Sequence, residues 1–373
     1  MVSPKQRMLN AYRGIYSDHY PVNPEFWSYY PAKILGLNLV EYELEVPMWK
    51  GILAATKYFD GDGWAIASGD SHYPDIEITS VFESIGNDRY REQKMINCDG
   101  LNLECSNVYA KTDPAWVETY PVKDIADLDK YIRAKLSDRV VYDFTKANDA
   151  HAQAGEEILV ELDIGAAFTD VFADAMGYEE TIMLFMSGED KKLQEYFELF
   201  LNQKIELIQQ VAEKTEYEVL FIGSNISNCS LIGPTLWKKW DKPYHMEIVK
   251  EAHRLGKLVH HHNHGKVMEI VSDFVDIGFD CVCPFERPPG DVDGLQGLKK
   301  VRQLLDDKVT FNGNVHTINT MIFGNTDDVR REVREIKEAF KDTPRLVIGT
   351  GDQVTDETPE ENIFAMIDEG RRR

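Results

Sequence analysis

Four of the chain's ten histidines fall within five residues, in Val259-His260-His261-His262-Asn263-His264-Gly265. An apolar run precedes them and a helical pattern follows, so the stretch reads as the end of a strand over 257–263. Side chains at i, i+2 and i+4 of a strand share a face. His260, His262 and His264 therefore point one way and His261 the other. Two imidazoles spaced i, i+2 can chelate one metal ion, and imidazole suits zinc, copper, iron or nickel.

Such a pair needs elements that hold it at the mouth of a cavity. Strand-like runs at 157–163, 218–223, 257–263, 279–285, 308–312 and 345–349 alternate with helical spacing. The longest helical pattern covers 189–214, with Leu193, Phe197, Phe200, Leu201 and Ile205 on one face. Thr358-Pro359-Glu360-Glu361 reads as a helix start with Thr358 as N-cap. The strands are apolar rather than alternating, which implies a parallel sheet covered by helices. About six β/α units from 156 onward, and at least one earlier strand near 63–67, favour an α/β chain folded as a (β/α)8 TIM barrel. No glycine-rich dinucleotide loop or phosphate loop follows any strand. One domain over 1–373 is expected, with 1–60 as an N-terminal helical cap and 76–120 as an irregular β-rich insertion. That insertion has a turn at Asn97-Cys98-Asp99-Gly100.

In this fold the active site lies at the C-terminal ends of the strands. The polar residues there are Asp163, Asn225 and Asn228, His262 and His264, Cys283 and Glu286, Asn312, Asn314 and His316, and Thr350 and Asp352. His262 and His264 are the expected metal pair, and Asp352 or Glu286 can complete the sphere, since carboxylate oxygens also ligate zinc. A helix cap or a salt bridge with Arg287 or Arg345 is the competing reading for those two acids. Cys281 lies too deep to join, and Cys283 reads first as a small buried thiol. Glu161 and Asp163 share a face and, if inward, need partners. Both can support the histidines, and Asp163 is a candidate to steer a proton. Asn225 and His316 are candidate substrate contacts. The aromatic segment around Trp27 and Tyr30 either packs a core or stacks on a ring.

The formal net charge of −23 argues against nucleic acid, whose phosphates select basic surfaces, and against an anionic membrane. The five cysteines form no framework, which points to a reducing compartment. The N-terminus begins no signal peptide, and no apolar run reaches a membrane-spanning length of ~18 residues. A cytoplasmic protein is expected.

Several of these stretches occur together in one family. His262-Asn263-His264-Gly265, Ile277-Gly278-Phe279-Asp280 with Pro284 and Glu286, Phe311-Asn312-Gly313-Asn314, and Thr355 to Asn362 resemble the uroporphyrinogen decarboxylase superfamily. The resemblance covers most of 155–370 and implies a (β/α)8 barrel. The true decarboxylases carry an N-terminal arginine-rich motif that this chain lacks. The other branch comprises zinc-dependent, corrinoid-linked methyltransferases. Its coenzyme M enzymes carry His-x-Cys and a later Gly-Cys, where this chain has His264 and, after Gly351, Asp352. The resemblance thus implies Zn2+ on harder ligands, better matched to oxygen than to a thiol. It points to demethylation of an aryl methyl ether, with the corrinoid carried by a separate protein. A metal-independent decarboxylase or lyase, a methylcobamide:thiol methyltransferase and a non-catalytic corrinoid-protein scaffold are the alternatives. A homodimer is compatible with all of them.

Overall fold

A computed structural model describes residues 2–98, 100–137 and 139–372. Eight parallel strands form its central sheet: β1 (Val22–Asn23), β2 (Trp64–Ser68), β3 (Leu159–Ala166), β4 (Val219–Ser224), β5 (Leu258–Asn263), β6 (Cys281–Pro284), β7 (Thr310–Val315) and β8 (Leu346–Thr350). Their order is β1-β8-β7-β6-β5-β4-β3-β2. The two ends of that order meet where Asp62 N–H donates to Val22 O at 2.9 Å. The sheet is therefore a closed (β/α)8 barrel. Among the described residues no helix is long and apolar enough to cross a membrane.

The segment 1–60 is more than a cap, because it supplies β1. Two residues flanked by prolines carry no periodicity, so the strand reads as a turn in the sequence. Ahead of it, helix Pro4–Arg13 starts on a Ser3 cap that accepts Gln6 N–H, and stops at Gly14 with φ +70°, a left-handed angle that favours glycine. This helix closes the lower end of the barrel. Met8, Leu9, Ala11 and Tyr12 pack against Trp64, Leu159, Val219, Phe221, Cys281 and Val347, which line the barrel interior. Thr310 Oγ1 donates to Ala11 O at 2.8 Å, and Arg345 to Tyr12 O at 2.7 Å.

The helix Asp190–Lys214 buries Leu193, Tyr196, Phe197, Phe200, Leu207, Ile208 and Val211, a three-and-four spacing that turns one stripe to the barrel. Leu201 and Ile205 sit at its margin. Phe168, Phe172, Phe185 and Trp240 complete an aromatic layer with it, each large side chain contributing about 1.5–3 kcal/mol by burial. The last helix, Glu360–Arg371, has Pro359 at its N-cap with no side-chain bond. Thr358 lies one residue too early, its hydroxyl buried without a partner.

Residues 76–119 form a regular antiparallel meander of Ile76–Gly86, Arg89–Cys98, Leu101–Ala110 and Trp116–Thr119, not an irregular insertion. Asn87 and Asp88 make its first turn with positive φ at both residues, as a tight hairpin requires. Cys98 pairs with Leu101 around the second turn, whose Asp99 lies outside the described residues.

Candidate metal centre at the barrel mouth

Alternation along β5 turns His260 and His262 into the barrel and His261 out of it. Register sets what they meet: His260 pairs with Cys281, and His262 with Cys283. His260 Nδ1 lies 2.8 Å from Glu161 Oε2 and its Nε2 lies 3.2 Å from Cys283 Sγ. Tyr12 donates to the other Glu161 oxygen at 2.9 Å. One layer up, His262 Nδ1 lies 3.1 Å from Cys283 Sγ and 3.8 Å from Glu25 Oε1. Its Nε2 faces His264 Nε2 at 2.8 Å.

Glu25, His262 and Cys283 are all buried, and their ligand atoms lie within 4.8 Å of one another. Glu25 follows β1 after Pro24. Its N–H donates to Thr350 Oγ1 at 3.0 Å, and its carbonyl accepts Val354 N–H at 2.8 Å. These bonds hold it over the end of β8. The Trp27 indole N–H donates to its carboxylate. Burial, and then the charge of Asp352, lifts the Glu25 carboxyl to about 8. No lysine or arginine pairs with it among the described residues. Burial likewise pushes the Cys283 thiol well up, with Glu25 adding to the effect. A carboxylate, an imidazole and a thiol with no lysine or arginine beside them form a donor set that a divalent ion satisfies.

His264 stands at the Nε2 side of the His262 ring with Glu286 behind it, and Asp352 lines the cleft above. They are outside the three-residue group in this geometry. Glu286 Oε1 accepts Gly265 N–H at 2.9 Å and lies 2.7 Å from His264 Nδ1. Burial opposes protonation of His264, yet Glu286, Asp352 and Glu25 together raise it to about 9. Burial raises Asp352, with His264 opposing. The ligand set that the fold gathers thus contains a thiol and is softer than the one the sequence implied.

A cleft of about 360 Å³ opens above the group, lined by Trp27, Asp163, Phe221, Asn225, His264 and Asp352 among others. Trp27 and Trp64 stand 5.8 and 6.4 Å from the His262 ring. Asp163 Oδ1 accepts Gly165 N–H at 2.8 Å. Asp170 accepts the N–H groups of Asn225 and Ile226 at 3.2 and 2.7 Å and so fixes the loop after β4. Two expected contacts lie elsewhere. Tyr30 is in the core against Phe26 and Phe59, its hydroxyl bonded to Thr358 O. His316 caps the π turn Thr317–Ile322, accepting Ile318 and Asn319 N–H at 3.2 Å. Its Nε2 lies 3.1 Å from Pro288 O. Glu25 escaped the sequence reading because β1 did; the one signal was a barrel strand too few.

A solved structure of a methyltransferase from Methanosarcina mazei superposes with a TM-score of 0.63 at 17% identity, over 99% of this chain and 98% of that one. At that identity the likeness is one of fold. An uncharacterized protein matches only 45% of this chain and 43% of its own, with 11% identity and a TM-score of 0.27, and carries no argument. No curated protein sequence matches significantly. The family model of uroporphyrinogen decarboxylase (URO-D) matches residues 101–373, which is most of the chain, and the protein belongs to that family.

Proposed function

We propose that the protein is a zinc-dependent methyltransferase. It moves a methyl group from a methoxylated donor, an aryl methyl ether, to the Co(I) corrinoid of a partner protein. The convergence of Glu25, His262 and Cys283 beneath an aromatic wall at the barrel mouth carries this reading. Family membership and the shared fold of the Methanosarcina methyltransferase support it.

Glu25, His262 and Cys283 would hold the ion. Zinc there supplies a Lewis acid that favours negative charge on a departing oxygen. Trp27 and Phe221 present ring faces and edges to an aromatic donor. Asp163 and Asn225 bound the polar side of the cleft. His264, held at Nδ1 by Glu286, keeps a proton at neutral pH and faces His262 with Nε2. A partner's corrinoid would supply the methyl acceptor; the carbon–oxygen electron pair would then stay on the departing oxygen, which would take up a proton from the water of the cleft.

The presence of Cys283 in the donor set favours a second reading, methyl transfer to or from a thiol, because thiolate ligands soften the metal. One experiment separates the two. Purified protein should contain about one zinc per chain. With reduced corrinoid protein and a panel of methoxyarenes, it should consume Co(I) with release of a phenol. Activity of metal-free protein would overturn the zinc assignment. Turnover only between methylated corrinoid and a thiol would overturn the ether assignment.

A further inference from the structure

A second pocket of about 190 Å³ adjoins the cleft at Ala166, which lines both. Its walls include Tyr73, Tyr131 and Phe200, and it holds two lysines and one acid, Lys135, Lys204 and Asp174. Lys204 Nζ donates to Ile164 O. It lies against Gly165, where a Cβ would stand 2.6 Å from it and where φ is +92°. It sits 5.4 Å from the Phe200 ring. Lys135 Nζ lies 4.8 Å from the Tyr73 ring and 6.0 Å from Tyr131. Among the described residues neither lysine reaches a carboxylate within salt-bridge distance, although the chain carries a net charge of −23. Burial lowers both ammonium groups, Lys204 to about 8, with Asp163 opposing there and Asp174 opposing at Lys135.

Two desolvated cations thus face an aromatic-walled cavity whose one acid, Asp174, forms a salt bridge with neither. Rings hold a cation less strongly than a charge-assisted bond to a carboxylate does. β3, which carries Ala166, and β5, which carries His262, are two strands apart in the barrel, roughly 10 Å. That span is of the order of one substituted ring. We propose that this pocket receives the carboxylate end of an aromatic methyl donor, with Lys204 and Lys135 as its anion contacts. The donor class would then be methoxylated aromatic acids. The proposal rests on the methyltransferase reading for the word donor, but not for the binding.

The test is calorimetric titration of the full-length, zinc-loaded protein with 4-methoxybenzoate and with neutral methoxybenzene. The acid should bind at least tenfold more tightly. Lys204→Met should remove most of that preference and Lys135→Met part of it, with methoxybenzene unaffected by either. Lys204→Gln replaces the Met variant if thermal melting shows the latter unfolded. Equal binding of acid and neutral ring, or a lysine variant that weakens both alike, would overturn the pocket assignment. Acid-selective binding without any methyl transfer would instead count against the proposed activity and leave the pocket standing.

Discussion

The two faces of β5 carry the same residue type into opposite surroundings. On the outer face His261 stacks on Phe279 at 4.5 Å and lies 4.7 Å from His245. Its Nδ1 is 3.2 Å from Ile222 O and its Nε2 has no hydrogen-bond partner. Neither nitrogen of His245 has one. Burial pushes both imidazoles down, His245 to about 3, so this pair is neutral and works as aromatic packing. On the inner face, His260 and His262 meet Glu161, Glu25 and Cys283 within 3.8 Å. Both faces are buried. What separates a packing histidine from a candidate ligand is the carboxylate or thiol that the neighbouring strands bring to it.

Exchange across the strand breaks this comparison most sharply. His262→Ala should weaken zinc binding by more than about 100-fold, since even outer-shell partners cost 10–100-fold. His261→Phe should leave zinc affinity unchanged. Competition with a chromogenic chelator measures both, and equal losses would erase the distinction between the faces.

Glu161→Gln tests how far the inner network supports the centre. The carboxylate takes bonds from Tyr12 and His260, and His260 reaches Cys283. The expected loss in zinc affinity is about 10-fold, with thermal unfolding showing that the fold persists.

The smallest effect concerns the outer face and acid. His245 in the folded chain protonates near 3, whereas the unfolded chain protonates near about 6.5. Between those values the unfolded state binds the extra proton, so stability falls as pH drops below about 6.5, by up to about 1.4 kcal/mol per pH unit. His245→Phe should flatten that dependence, adding about 1 kcal/mol to urea stability at pH 5.5 relative to the change at pH 7.5. An unchanged pH slope would show that His245 is not the group responsible.

Local alternation made the split between His261 and its neighbours legible in the sequence, and the β/α rhythm made the barrel legible. Both are patterns along consecutive stretches of chain: alternation within one strand, and strand followed by helix. Glu25 was not legible, because its strand is two residues long and takes its place only by pairing Val22 with Ile348. Cys283 stood on the right face, but its depth depends on the β5–β6 register, which no single strand encodes. The Tyr12–Glu161–His260 contacts join residues 149 and 248 positions apart, beyond any local pattern. Tyr30 and His316 misled for the opposite reason. An aromatic ring near a cleft-forming segment and a histidine at a strand end are suggestive types, but core packing and a turn cap claim them first.

The central claim is that the inner face of β5, with Glu25 and Cys283, forms a divalent metal centre. Cobalt(II) substitution tests it directly. Thiolate ligation gives a sulfur-to-cobalt charge-transfer band, and the band should be present in the native chain and absent in Cys283→Ser. Bound cobalt without that band, with a spectrum unchanged by Cys283→Ser, would place the metal on other residues and contradict the account.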